Sequence, residues 1–462
     1  MNKIKKTLFI TLSVVLIFFT ICFLGVIHIY NYGEDFNEKI PDFVEVSHKD
    51  MKTIKAVGKG LYESDGKYIQ LKGINFGNWL IQEGWMTPNS LGAKYNSDGS
   101  FVKVNEEGIV EEYEPVFQDE LELALKNNPN LTEAQINQLW DIYYKSYCTE
   151  DDFRLIKEIG FNMIRLPMYY RNFMEGDDNN LKMKDNPFVL IDWFLENAKK
   201  YDLYVILDLH GVVGGQSGYE HSGTKKTEFW TNKHYQDQMC FLWSEIAKHY
   251  KNERPDLAET IAAYDLVNEP TLDGSSTGKL QWEVMDKLYK AIREVDQDHV
   301  ISIEGCWRFT NLPNPKKYGW TNVLYQYHIY NWAYETFKNN LYFGSHWLTY
   351  RFANYDVPKY IGEFNFFSEK EEWHKYLNEF DLRGFSWSIW SYKTISVGWW
   401  DSSWGIYVHR MNLKNEVLKL DVRTATFDEI YNVWSNQETL KTYKETGLLK
   451  EVLDEYFQKK VI

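Results

Sequence analysis

The chain has 462 residues, enough for a large core and, in an α/β barrel, for one domain. Hydrophobic residues make up 44% and charged residues 25%, a globular balance, while aromatics reach 17% with 18 Trp and 33 Tyr, an unusual supply of flat ring surfaces. The net charge of −15 opposes the clustered Lys and Arg that phosphate contacts need, which excludes nucleic acid as a partner.

The basic start MNKIKK is followed by TLFITLSVVLIFFTICFLGVIHIY, a charge-free and mostly apolar run. Roughly 20 such residues cross the ~30 Å core of a bilayer at about 1.5 Å per residue. Residues 1–30 therefore read as an uncleaved transmembrane anchor. The alternative is a cleaved secretory signal, which has a shorter apolar region and small residues at its cut site and would release the protein. Cys22 stands near a lipobox-like position, but its neighbours are too bulky for one. Lys3, Lys5 and Lys6 stay in the cytoplasm, which sends everything after Tyr30 outside the cell in a single-pass arrangement. The polar stretch 31–59 reads as a linker or stalk, and residues 60–462 as one folded domain. Beyond the anchor only Cys148, Cys240 and Cys306 remain, so at most one intramolecular pair could form, and they read as buried thiols. No Cys-x-x-Cys or His-x-x-x-His spacing marks a zinc site, and neither metal nor cofactor is expected.

From GKYIQLKGINF onward, strand-like and helix-like segments alternate. IQLKGINF, FNMIRLPM, LYVILDLH, IAAYDLVNEP, HVISIEG, NVLYQYHIY, PKYIGEF and RGFSWSIWSY predict eight strands. Helical spacing follows most of them: PFVLIDWFLENAKKY after the second, HYQDQMCFLWSEIAKHY after the third, GKLQWEVMDKLYKAIREV after the fourth. No helix is recognisable after HVISIEG. Residues 87–140 interrupt the pattern after the first strand as an insert that could wall off one end of a groove. Past Tyr407, one or two amphipathic helices are expected to pack on the barrel, without a linker to a further module. The expected fold class is α/β, a (β/α)8 TIM barrel preceded by an N-terminal transmembrane helix.

Active sites of this fold lie at the C-terminal strand ends. Those ends carry Arg165, Asp208 and His210, Asn268 and Glu269, Glu304, His328 and Tyr330, Glu363, then Trp387 and Trp390. Paired carboxylates with histidines, an arginine and aromatics suit glycosidic bond cleavage, which needs one carboxyl group on each side of the bond. Glu269 and Glu363 are the natural pair. Asn268 is placed to bond a sugar 2-hydroxyl, Pro270 stiffens the turn, and Arg165 with Tyr330 is expected to aim Glu363 and hold its pKa low. Glu269 is expected to have the raised pKa, through apolar surroundings and the charge of Glu363. His210 or His328 alone reads as a core histidine; their place at strand ends turns that reading toward function. Trp387 and Trp390 stand three apart, so one of them is expected in the barrel wall. In VGWWDSSWGIY, Trp399, Trp400 and Trp404 read either as outer sugar subsites or as a packed lid, with Asp401 a polar neighbour.

MIRLP, DLHG, DLVNEP, YQYHIY, YIGEF and WSIWSYK resemble the strand-end motifs of glycoside hydrolase family 5, over roughly residues 68–407. The resemblance implies Glu269 as acid/base and Glu363 as nucleophile of a retaining β-glycosidase, supported by Arg165, His210, Asn268, His328 and Tyr330, with Trp390 under the sugar. LKGINFGNWLIQEGWMTP and DLHGVVGGQSGYEHSG are similar to the exo-β-1,3-glucanase branch, where Glu83 matches an acid that helps to hold the terminal sugar. The chain departs from that branch at Asn78, where a glycine is usual, and at Gly84, where a proline is usual. The implied substrate is a β-glucan or β-glucoside, and the enzyme is expected to be a monomer. An endo-β-1,4-glucanase or mannanase, a glycolipid glucosidase, a transglycosidase and a silent polysaccharide-binding barrel are the alternatives.

Overall fold

The computed structural model describes residues 51–88, 116–272, 277–330, 336–367, 369–395, 404–409 and 420–458. The anchor of residues 1–30, the first part of the linker, much of the 87–140 insert, and Trp399, Trp400 and Asp401 lie outside them. Among the described residues no helix is long and apolar enough to cross a membrane.

Eight parallel strands close into a barrel: β1 (Lys72–Asn75), β2 (Met163–Tyr169), β3 (Tyr204–Gly211), β4 (Ile261–Asp265), β5 (Val300–Glu304), β6 (Val323–Tyr330), β7 (Lys359–Asn365) and β8 (Ser386–Ile389). Neighbours in sequence are neighbours in the sheet, and β8 pairs with β1 through Trp387 opposite Lys72. Almost every strand residue is buried, as expected where helices cover the outside and side chains fill the inside. The strands approach closely at Gly73, where a Cβ would stand 2.3 Å from the Met163 carbonyl oxygen.

Helices α1 (Gln118–Lys126) and α2 (Glu133–Tyr147) belong to the insert and its continuation; the outer layer is built by α3 (Glu150–Ile159), α4 (Val189–Lys200), α5 (Lys233–Lys248), α6 (Lys279–Val295), α7 (Thr336–Phe352) and α8 (Lys370–Leu382). The start of α3 is fixed by Thr149, whose N–H donates to Asp152 Oδ2 at 2.7 Å. It stops at Gly160, φ +114°, a left-handed position where a Cβ would also strike the Phe457 ring. After β5 there are only two 3-10 turns, Phe309–Asn311 and Pro315–Lys317. Pro313 and Pro315 lack the N–H a longer helix would need, which explains why no helical period is legible there. The expected C-terminal helices are present as α9 (Phe427–Trp434), whose Trp434 packs against Trp140 and Tyr143, and α10 (Gly447–Gln458), which lies against α8 and α3 and completes the ring.

One boundary is corrected. The linker expected to run to residue 59 ends earlier, because Ile54–Val57 pairs with Gly60–Glu63, which pairs with Tyr68–Ile69 in a small antiparallel sheet. Its Met51, Ile54, Leu61 and Ile69 pack with Met163, Tyr204, Val300 and Tyr360 from the beginnings of the barrel strands. This sheet plugs the end of the barrel opposite the site, and the apolar alternation of so short a segment is too weak to read among its lysines.

Candidate active site

Arg165 lies on β2 with its side chain fully inside the barrel, 0% exposed. Its guanidinium spends its donors on five neighbours: Nε donates to Asp265 Oδ2 (3.0 Å), Nη1 to Asn75 Oδ1 (3.1 Å) and Glu363 Oε1 (2.7 Å), and Nη2 to Asn268 Oδ1 (2.9 Å), with Asp208 Oδ2 3.1 Å away. The planar fork joins β1, β2, β3, β4 and β7 around a single cation, a task a point charge could not perform.

Glu363, on β7, receives a second hydrogen bond at Oε2 from the Tyr330 hydroxyl, 2.7 Å away. Burial raises its pKa, and Arg165, His210 and the Tyr330 hydrogen bond act against that rise. The expected depression is therefore not reached: three buried acids share Arg165, and the carboxyl group is out of water.

Glu269 lies four residues beyond the end of β4, with φ +39°. Its N–H donates to Glu304 Oε2 at 2.8 Å. Each of its carboxyl oxygens faces an imidazole: Oε1 is 2.9 Å from His328 Nδ1 and Oε2 is 3.2 Å from His221 Nε2. Its pKa stands well above the usual carboxylate range, chiefly through burial, then through the charges of Glu363 and Glu83. Both acids are raised, so the sign that sequence reasoning expected holds for Glu269 and not for Glu363.

The histidines are neutral. Burial pushes His210 and His221 down to about 3 and His328 well below its ordinary value. His210 Nδ1 meets Asp208 Oδ2 at 2.6 Å, and its ring stacks on Trp390 at 5.5 Å between centroids. Trp390 enters the mouth, while Trp387 faces the helices against Phe161 and Tyr456, so one of the two packs in the wall as expected. Trp85, Met86, Phe367, Trp390 and Trp404 form an apolar cluster with Tyr330 at its edge. Beside it Glu83 accepts from Trp85 Nε1 at 3.0 Å; burial, with Glu220 and Glu363 in electrostatic reach, lifts its pKa to about 8. Trp404 thus belongs to this wall, whereas Trp400 lies outside the described residues.

One atom each of Glu269, His328 and Glu363 lies within 4.8 Å of the other two. This is the one group of the described residues close enough to hold a cation, but all three are already tied to Arg165, Tyr330, His221 or one another.

The family model described as cellulase, glycosyl hydrolase family 5, matches residues 123–396. This chain belongs to glycosyl hydrolase family 5. A β-xylosidase of Phanerodontia chrysosporium is 29% identical over 286 residues, covering 61% of this chain and 52% of the relative. Glucan 1,3-beta-glucosidase 2 of Saccharomyces cerevisiae is 29% identical over 261 residues, covering 51% and 43%. The chain thus spans about half the length of these curated relatives. Among solved structures, a rutinosidase from Aspergillus niger superposes with TM-score 0.54 at 14% identity, covering 73% of this chain and 95% of that one, a likeness of fold.

This family 5 chain brings together Arg165, His210, Asn268, Glu269, His328, Tyr330, Glu363, Trp390 and Glu83. Sequence reasoning passed over Asp265 and His221. Asp265 was visible as a charge ending an otherwise apolar strand, IAAYD; His221 sits in a loop where no period exists to mark it.

Proposed function

We propose that the chain is a retaining β-glycosidase that cleaves β-glucans or β-glucosides, with Glu363 as nucleophile and Glu269 as acid/base. The approach of one carboxyl oxygen of Glu269 to one of Glu363, within 4.8 Å, carries this reading. Retaining enzymes hold the pair about 5 to 5.5 Å apart, whereas inverting ones need roughly 6.5 to 9.5 Å to admit a water.

Glu363 attacks the anomeric carbon and forms a glycosyl ester, while the bond to the leaving oxygen breaks and that oxygen takes the proton of Glu269. Glu269, now ionised, removes a proton from water, whose oxygen attacks the same carbon and frees Glu363. Arg165 and Tyr330 stabilise the carboxylate that attacks first and leaves last. Asn268, held by Arg165, offers its amide to the sugar, and Trp390 supplies a flat floor.

Exo action on β-1,3-glucan is the finer reading. The half-buried Glu83 beside the apolar wall and the likeness to the Saccharomyces glucan 1,3-beta-glucosidase support it. The charge-free run within residues 7–30 supports anchoring of the barrel on the outer face of a membrane. The test is incubation with laminari-, cello- and manno-oligosaccharides, following products by chromatography and NMR. Release of β-glucose one unit at a time from laminari-oligosaccharides is expected. Internal cleavage of cello- or manno-oligosaccharides would replace the exo reading with an endo one, and silence on all three would turn attention to glycolipids or to binding alone.

A further inference from the structure

The loop after β3 carries His221 to the open side of the acid/base, where its Nε2 lies 3.2 Å from Glu269 Oε2. The other oxygen is held from inside by His328, whose side chain is 0% exposed, while that of His221 is 17% exposed. A leaving-group oxygen arriving from solvent therefore meets Glu269 on the His221 side.

We propose that His221 is a positioning residue of Glu269, holding the proton-donating oxygen in line with the leaving group so that cleavage of poor leaving groups depends on it. The inference rests on the glycosidase reading above.

The contact is built rather than incidental. The hydrogen bond of His221 Nε2 is made with Ser217 Oγ at 2.8 Å, and the N–H of Tyr219 donates to that hydroxyl at 3.2 Å, so the ring is fixed in its 3.2 Å contact with Glu269 Oε2. Gln216 ties the loop to the acid's own strand end, donating to the carbonyls of His210 (2.6 Å) and Asn268 (3.1 Å). From the other side, the N–H of Val116 donates to Glu220 Oε1 at 3.1 Å and that of Asp119 to the Gly223 carbonyl at 3.0 Å, so the insert braces the loop.

The partner's charge matters as much as its place. Glu269 faces the acids Glu83, Asp208, Glu304 and Glu363 and the single cation Arg165. His221 itself faces His210 and Arg165, and burial keeps it neutral. A neutral ring packed 3.2 Å from a carboxylic acid can hold it in place without drawing off its proton, which a lysine or arginine at this position would do.

The experiment compares kcat/KM of wild type, His221→Gln and His221→Ala on 2,4-dinitrophenyl β-glucoside, which departs without acid assistance, and phenyl β-glucoside, which needs it. With His221→Ala the phenyl substrate is expected to lose about tenfold or more while the dinitrophenyl substrate changes less than about twofold, and the alkaline limb of the phenyl profile is expected to move. His221→Gln should recover part of the loss. Equal losses on both substrates, or none on either, overturn the proposal. If wild type cleaves neither, the glycosidase reading fails separately. The crystal structure of His221→Ala then decides: a displaced Glu269 carboxyl group supports the positioning role, and an unmoved one overturns it.

Discussion

Arg165 Nη1 donates to Glu363 Oε1 at 2.7 Å, and the same guanidinium also grips Asp208, Asp265, Asn75 and Asn268. The nucleophile's aim and the barrel's inner seam are thus one feature. Arg165→Lys keeps the charge and loses the fork. It is expected to cost about 3–5 kcal/mol of stability, because buried acids are left without partners. A nucleophile displaced by about an ångström should also lower kcat/KM about a hundredfold. Thermal unfolding and initial rates check both, and a Lys variant with wild-type values in each would contradict the shared role.

The two glutamates can be told apart by product stereochemistry. Glu363→Ala should reduce turnover of activated β-glucosides by about 10⁴-fold or more, and azide filling the vacated space should give the α-glucosyl azide. Glu269→Ala should still form the glycosyl ester from a good leaving group, and azide should then give the β-glucosyl azide. NMR of the products decides. Interchanged azides would interchange the roles, and full activity in Glu363→Ala would overturn the mechanism.

Much of this arrangement was legible in the sequence because a parallel barrel writes itself as apolar strands ending in polar residues. DLVNEP, YQYHIY and YIGEF place Asn268, Glu269, His328, Tyr330 and Glu363 without any knowledge of distances. The missing fifth helix was also legible, as the absence of a period around Pro313 and Pro315. Charge sharing was not. Counting Arg165 against Glu363 alone suggests a low pKa, but Asp208 and Asp265 take the same cation in a place without water. Loop contacts were not legible either: His221 reaches Glu269 through the turns of a loop rich in glycine, and only coordinates reveal that. Residues 51–59 looked like linker because their sheet finds its apolar partners on distant strands.

That charge sharing has a consequence for stability. Burial raises Asp208 and Asp265 to about 7 despite Arg165, whereas an unfolded Asp titrates near about 3.9. Between these values the folded protein binds more protons than the unfolded chain, so stability is fully present below the lower value and is lost as pH rises through the upper one. The net charge of −15 at pH 7 adds repulsion in the same direction. The melting temperature is expected to fall from pH 5 to pH 8, and Asp265→Asn should flatten that slope. Calorimetry at several pH values checks this; a melting temperature that climbs over the interval would remove the argument.

Glu304 answers for the backbone of the acid/base as His221 does for its side chain. At φ +39° Glu269 occupies a region that side chains avoid, at a cost of about 1–3 kcal/mol, and the following Pro270 disfavours relaxation into a helical conformation. Glu304 Oε2 holds that turn by accepting from the Glu269 N–H at 2.8 Å and from Gln326 Nε2 at 3.1 Å. Gln326 Nε2 also lies 3.3 Å from His328 Nε2, whose other nitrogen meets Glu269 Oε1, so Glu304 touches the acid/base by two routes. Glu304→Leu leaves the Glu269 N–H buried without an acceptor, a loss of about 1–3 kcal/mol, and should lower kcat while changing KM little, since the sugar's own contacts remain. Glu304→Gln retains one acceptor oxygen and should lie between. Steady-state kinetics and thermal unfolding of the two variants test the order: if the Leu variant keeps wild-type kcat, the strained turn is held by Pro270 and the barrel alone, and Glu304 has no part in placing the proton.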